Sequence, residues 1–420
     1  MDMLVYPRPL SGELRSIPSK SQAHRLLICA ALADGPSELL IPSFSEDTEA
    51  TVRCLEALGA RFERKGDAVS VTPIDRASLP ASPLLDCGES GSTLRFMLPV
   101  AASLCEKARF TGRGRLPERP NGPLIEAMKA HGSRFSSETL PFEVTKMSSG
   151  GRFAVPGNIS SQYITGLLLA APLLPGGAEI EFTAPLESRG YVDMTVEALE
   201  AFGVQVRLDE NGCAVAPGAR LLARDDLAVG GDWSNAAFWL VAGATGSRIS
   251  VSGLDPNSRQ GDRAVFDILR RMGASVTEES GRITAESSRL HAVEIDAADI
   301  PDLVPVLSVA AACAEGTTRF YNTSRLRLKE SDRLETTAAM LSALGSGAEI
   351  SGDELFVTGA PSLAGGTVNS ANDHRIAMAA AAASCACRAP VKILGAECTA
   401  KSYPDFFKDL ISLGGRAESV

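Results

Sequence analysis

Residues 55–59 read LEALG: an apolar residue, two variable ones, a second apolar one and a glycine. The pattern returns, with the fourth position usually apolar, as MKAHG (128–132), LEAFG (199–203), LRRMG (269–273), LSALG (341–345) and LISLG (410–414). Successive glycines lie 73, 71, 70, 72 and 69 residues apart. Spacing this even marks an internal repeat. Each copy reads as an amphipathic helix ended by a glycine, which takes the left-handed conformation of a C-cap without steric cost. Alternating stretches with a turn signal follow, as in RFERKGDAVSV, SVTEESGRITA and AEISGDELFVT, and predict β-hairpins.

Working outward, each copy also holds a second, nearly all-apolar helix: AHRLLICAALA, TLRFMLPVAASLC, YITGLLLAAPLL, NAAFWLVAGA, LVPVLSVAAACA and HRIAMAAAAASCA. A helix apolar on every side is buried. Lys20, Gly91, Ser161, Ser234, Asp302 and Asp373 mark where these helices open, at separations of 71, 70, 73, 68 and 71 residues. The unit is therefore β-α-β-α-β-β. Six units predict an α/β protein of two domains with three units each, the border falling near Val229 to Asp232. The last copy stops soon after Gly414. The segment Leu4 to Leu14 is expected to supply its missing strands. One domain then comprises residues 1–12 with 230–420, the other residues 13–229.

Composition fits this picture. The 420 residues are 45% hydrophobic and 22% charged, which argues against disorder. A net charge of −10 argues against a nucleic-acid partner. The start, MDMLVYPRPL, lacks the basic and apolar regions of a secretory leader, and no apolar run reaches the ~18 residues that span a bilayer. Nine cysteines without CxxC spacing fit reduced thiols in a cytoplasmic protein. Four histidines, none in paired ligand spacing, predict no metal.

The chemistry is expected at the openings of the buried helices. A helix N-terminus offers unpaired N–H groups and about half a positive charge, so it attracts anions. Ser234 or Asp193 read alone is only a helix cap. Cations accompany the set, however: Lys20 and Arg25 in SKSQAHR, Arg119 in PERPNGP, Lys329 and Arg333 in RLKESDRL, Arg375 in NDHR, and Lys401 in CTAKSYPD. Arginine grips carboxylate or phosphate with a planar fork, and lysine supplies a compact charge. A cationic site for phosphorylated anions follows.

Together SKSQAHR, GESGSTLR, ERPNGPL, GNISSQYITGLLLAAPLL, IPD, LKESDR, NDHR and CTAKSYPDF closely resemble the 5-enolpyruvylshikimate-3-phosphate synthase family, from about Lys20 to Phe407. The resemblance implies the two-domain enolpyruvyl transferase fold of six βαβαββ repeats, with substrates in a cleft between the domains. It implies transfer of the enolpyruvyl group of phosphoenolpyruvate to the 5-hydroxyl of shikimate 3-phosphate, without cofactor, by a protein taken here as a monomer. The family pattern assigns shikimate 3-phosphate to Lys20, Ser21, Arg25, Ser160, Ser161, Gln162, Ser188, Tyr191, Asp302 and Lys329. It assigns phosphoenolpyruvate to Lys20, Gly91, Arg119, Gln162, Arg333, Arg375 and Lys401.

The reaction needs positioned acid–base groups. Asp302 is the candidate for the attacking hydroxyl's proton, and Glu330 and Lys20 are candidates beside the methylene carbon. Glu89 stands where many members have Asn, and Ser92 where Thr is common. A carboxylate there bears on donor affinity and on sensitivity to glyphosate, which competes with phosphoenolpyruvate in this family. Asn322 and Arg325 receive no role. The nearest alternative is the related transferase acting on UDP-N-acetylglucosamine, but GRGRLPERPNG lacks the Cys of its mobile loop. A non-catalytic repeat scaffold is the other, and it would need no convergence of Lys and Arg.

Overall fold

The computed structural model describes residues 1–420. The chain divides into two compact units, Pro18–Val229 and Met1–Ile17 with Gly230–Val420. The first border falls after Ile17 rather than after residue 12. Strand Ser11–Arg15 runs across that expected border and pairs along its whole length with Arg248–Ser252.

Unit 18–229 holds six helices: α1 (Lys20–Ala31), α2 (Glu46–Ala57), α3 (Gly91–Leu104), α4 (Gly122–Ala130), α5 (Ser161–Ala170) and α6 (Arg189–Ala201). The odd-numbered ones are the all-apolar helices, buried along most of their length in a single core. The even-numbered ones bury one face; α6 does so through Val192, Thr195 and Leu199, at helical spacing. A carbon added at Gly166 of α5 would strike the carbonyl of Arg95 in α3, so only glycine permits this close approach.

Three sheets surround these helices. In each, a parallel pair is extended by an antiparallel strand. Ala178–Phe182 is parallel to Gly151–Val155 and antiparallel to Gly212–Val215, which also pairs with Val206–Leu208. Lys107–Thr111 is likewise parallel to Leu84–Asp86 and antiparallel to Phe142–Thr145. Ser37–Leu40 pairs with Ala68–Thr72 of the expected hairpin, and on its other edge with Leu227–Ala228.

The second unit repeats this plan with α7 (Trp233–Gly246), α8 (Ala264–Arg271), α9 (Val304–Ala312), α10 (Arg333–Ala343), α11 (His374–Ala383) and α12 (Phe406–Ser412). Here α7, α9 and α11 are the buried helices. The start of the chain serves two sheets. Met3–Val5 lies between Val391–Leu394 and Ala417–Ser419 and completes the last copy, while Ser11–Arg15 joins the fourth copy. The last copy thus has a strand after Gly414, paired with the N-terminus instead of a neighbour in sequence. Ser11–Arg15 precedes α1 yet pairs in the other unit, and Leu227–Ala228 precedes α7 yet pairs with Ser37–Leu40. The opening strands of copies one and four have exchanged units, so the chain passes from unit to unit twice.

All six repeat glycines follow an amphipathic helix with positive φ: 106° at Gly59, 93° at Gly132, 85° at Gly203, 90° at Gly273, 84° at Gly345 and 88° at Gly414. The C-cap expected from sequence is present in every copy. No helix is long and apolar enough to cross a membrane.

Candidate active site

In unit 18–229 the predicted residues gather at the N-termini of the buried helices. Ser19, Ser90 and Ser160 cap α1, α3 and α5, accepting from Gln22 N, Thr93 N and Gln162 N. Lys20 opens α1, and its Nζ lies 2.9 Å from Oδ2 of Asp47 in the first turn of α2. Gly91 opens α3 beneath the guanidinium of Arg119; a side-chain carbon there would sit 2.6 Å from Arg119 Nη1. Glycine at this position leaves space for the guanidinium and for a ligand at the backbone.

Gln162 is held at both ends. Its Oε1 accepts from Arg95 Nη1 at 2.6 Å, and its Nε2 donates to Ser92 Oγ at 2.9 Å. Arg95 also donates to Asn121 Oδ1 at 3.0 Å and to Pro120 O at 3.0 Å, tying the Arg119 loop to α3 and α5. Sequence reasoning quoted Arg95 within GESGSTLR but gave it no role. The signal was available: a charge in an otherwise apolar, buried helix needs partners.

Arg25 is almost wholly buried. It donates to Ser21 O at 2.5 Å, Tyr191 O at 2.8 Å, Thr195 Oγ1 at 2.8 Å and Thr165 Oγ1 at 3.3 Å. Burial lowers its pKa to about 10, which leaves it charged at neutral pH. The geometry makes Arg25 an organiser of the predicted residues Ser21 and Tyr191. Ser188 precedes α6 with φ 54°, a conformation costly for serine, and its carbonyl accepts from Tyr191 N. Ser161 opens α5 and is buried. The Glu89 carboxylate packs on Gly114, where an added carbon would meet its Oε2 at 2.5 Å. A hollow of about 770 Å³ lined by Arg152, Glu179 and Arg207 contains none of the predicted residues.

In the other unit Asp302, Lys329, Glu330, Arg333 and Arg375 form one ionic network. Asp302 Oδ1 accepts from Arg333 Nη1 at 2.7 Å and from Lys329 Nζ at 3.3 Å; its Oδ2 accepts from Arg375 Nη2 at 2.9 Å. Arg333, the first residue of α10, also reaches Glu330 at 2.7 Å and the α11 cap Asp373 at 2.8 Å. These carboxylates outweigh burial and hold the Arg333 pKa well above the usual value. Desolvation lowers Lys329 to about 8 despite the Asp302 charge. Lys401 Nζ donates to Asn372 O at 2.7 Å.

Three sequence expectations change; Asp193 lies inside α6 and does not cap it. Asp232, not Ser234, caps α7, accepting from Ser234 N at 2.8 Å, while Ser234 Oγ turns to Asp262. Asp302 does not cap α9, which begins after Leu303 without a side-chain cap. Asp47, Asn121 and Asp373 were not singled out as site residues, although Asp373 marked a helix start. Their role is to hold cations, which spacing does not reveal. No group of three or more His, Cys, Asp or Glu side chains is arranged to hold a metal ion.

Comparison with known proteins identifies the family. The family described as EPSP synthase (3-phosphoshikimate 1-carboxyvinyltransferase) matches residues 5–410. A protein of Clostridium kluyveri named 3-phosphoshikimate 1-carboxyvinyltransferase is 42% identical over 416 residues, covering 99% of this chain and 97% of its own. One of the same name from Methanocorpusculum labreanum is 39% identical over 417 residues, covering 99% of each chain. Among solved structures, an EPSP synthase from Acinetobacter baumannii superposes with a TM-score of 0.82 at 27% identity, covering 100% of both chains. The enolpyruvyl transferase NikO from Streptomyces tendae shares the fold, with a TM-score of 0.78 at 21% identity over 99% of this chain and 98% of its own.

Proposed function

Because the chain belongs to the EPSP synthase (3-phosphoshikimate 1-carboxyvinyltransferase) family, we propose that it transfers the enolpyruvyl group of phosphoenolpyruvate to the 5-hydroxyl of shikimate 3-phosphate. The observation that carries the site assignment is Asp302, held by Lys329, Arg333 and Arg375. A carboxylate so placed accepts a proton beside cations suited to anionic substrates.

Shikimate 3-phosphate binds at Lys20, Ser21, Ser160, Ser161, Gln162, Ser188 and Tyr191, with Arg25 fixing this set, and at Asp302 and Lys329. Phosphoenolpyruvate binds at Lys20, Gly91, Arg119 and Gln162, together with Arg333, Arg375 and Lys401. The monomer is proposed as the working form. The unpaired cysteines suit the cytosol.

The reaction proceeds by addition and elimination. Asp302 takes the proton of the 5-hydroxyl as its oxygen bonds to the central carbon of the donor. The methylene carbon gains a proton from Glu330 or Lys20. The tetrahedral adduct then loses phosphate from the central carbon and a proton from the new methyl group, which restores the double bond. Arg119, Arg333, Arg375 and Lys401 hold the donor's carboxylate and phosphate as charge shifts.

Phosphate release from phosphoenolpyruvate tests this reading. Release is expected with shikimate 3-phosphate and not with UDP-N-acetylglucosamine. Release only with the second acceptor, or with neither, overturns it.

A further inference from the structure

His24 of α1, Thr51 of α2 and Thr93 of α3 are buried polar side chains that the reaction scheme does not use. They are joined in a line. His24 Nδ1 lies 2.7 Å from Thr51 Oγ1, and Thr51 Oγ1 lies 2.7 Å from Thr93 Oγ1. Thr93 Oγ1 in turn lies 2.9 Å from Oγ of Ser90, the cap of α3, and 3.2 Å from the carbonyl oxygen of Asp47.

The line has a direction. Burial, with Lys20 and Arg25 close by, holds the His24 pKa well below its usual value, so the ring is neutral and a single nitrogen bears a proton. Nε2 has no hydrogen-bond partner, and a buried N–H without an acceptor is rarer than a buried lone pair without a donor. The proton is therefore assigned to Nδ1. His24 then donates to Thr51, and Thr51 to Thr93. Thr93 keeps its own proton for Ser90 or for Asp47 O, which can only accept.

This line runs beside the ion pair of Lys20 with Asp47. His24 stands one turn after Lys20 in α1, and Thr51 one turn after Asp47 in α2. Two successive rungs, one ionic and one neutral, thus join α1 to α2. The Thr93 hydroxyl meets both: the backbone of Asp47 from the first rung and the side chain of Thr51 from the second. Ser90 directly precedes Gly91 and also accepts from Thr93 N at 3.2 Å. Thr93 therefore ties the first turn of α3, with the Gly91 backbone, to the helix pair that carries Lys20.

We propose that Thr93, oriented by His24 through Thr51, is a positioning residue that fixes the Gly91 backbone relative to the Lys20 ammonium and so pre-sets two of the groups that hold phosphoenolpyruvate. This rests on the roles proposed above for Lys20 and Gly91. A donor meets these groups already spaced; without the hydroxyl, donor binding must itself order the turn. Ser160, Ser188 and Tyr191 take no part in the line, so shikimate 3-phosphate should feel the loss less.

The test is Thr93→Val, which keeps the shape and removes the hydroxyl, read against Thr93→Ser, which keeps the hydroxyl. In Thr93→Val the Michaelis constant for phosphoenolpyruvate at saturating shikimate 3-phosphate is expected to rise about tenfold, while shikimate 3-phosphate affinity, read by calorimetry, changes by less than about twofold. Thr93→Ser should bring the constant back to within about threefold of wild type. An unchanged constant in Thr93→Val overturns the proposal. So do equal losses for both substrates, or a Thr93→Ser variant as impaired as Thr93→Val, since either marks a merely structural role. If Thr93→Val does not fold, Thr51→Val breaks the line one step earlier and is read in the same way: a rise confined to the donor supports the proposal, and an unchanged constant counts against it. Wild-type protein that releases no phosphate from phosphoenolpyruvate with shikimate 3-phosphate defeats the underlying function; a working wild type with indifferent variants defeats only Thr93.

Discussion

Arg333 Nη1 lies 2.7 Å from Oδ1 of Asp302. The contact joins the first residue of α10 to a residue just ahead of α9, 31 positions earlier in the chain, and both lie at the N-terminal ends of their helices. An arginine this buried is held in place by its carboxylates, and the carboxylates are held by it. Neither moves cheaply, which suits groups that must meet a transition state without reorganising.

Asp302→Ala removes the proposed proton acceptor and leaves Lys329, Arg333 and Arg375 without it. The turnover number is expected to fall by about 10²–10⁴-fold, the usual range for general-base catalysis. Shikimate 3-phosphate affinity, read by calorimetry, should change far less, because the cations remain. Turnover close to wild type would remove Asp302 from the mechanism.

Lys329 gives a pH dependence with a definite sign. Its ammonium loses its proton near pH 8 in the free protein. A phosphate placed beside it favours the charged form and raises that value. Binding shikimate 3-phosphate above pH 8 should therefore take up a proton, and affinity should weaken as pH rises through 8. Titration calorimetry in buffers of different ionisation enthalpy reads the uptake directly. Constant affinity between pH 7 and 9 would contradict the contact.

The fold was legible because its two signals are local. Gly59 and its five counterparts need a left-handed conformation at a helix end, and the apolar helices need burial; both are written in contiguous residues. The exchanged strands were harder. Ser11–Arg15 carries no mark of its partner Arg248–Ser252, because sheet pairing is long-range. The site divided the same way. Lys20, Arg119, Arg333 and Arg375 stand out as charges in short motifs. Arg95 does not, since its importance lies in what it touches, Gln162 and Asn121.

Gly91→Ala tests the donor side separately. The new carbon would lie 2.6 Å from Arg119 Nη1, so the guanidinium must move. It is the far end of a flexible side chain, so stability should fall by no more than about 1 kcal/mol. The Michaelis constant for phosphoenolpyruvate should rise, while shikimate 3-phosphate affinity stays near wild type. Equal rises for both substrates would place Gly91 and Arg119 outside a dedicated donor site.

Arg95→Lys asks whether the unassigned arginine supports the site. Its fork reaches Gln162, Asn121 and Pro120 together, and a lysine ammonium cannot span all three. Asn121 Oδ1 is buried and the Pro120 carbonyl contact is partly so, and a lost charged hydrogen bond there is costly. The expected destabilisation is about 2–4 kcal/mol, measured by urea unfolding. Gln162 would lose the acceptor contact that fixes its amide, and the Arg119 loop would lose its tie to α3. Both substrates should therefore bind more weakly, in contrast to Gly91→Ala. A variant as stable as wild type with unchanged Michaelis constants would show that α3 and α5 hold Gln162 and Arg119 without Arg95.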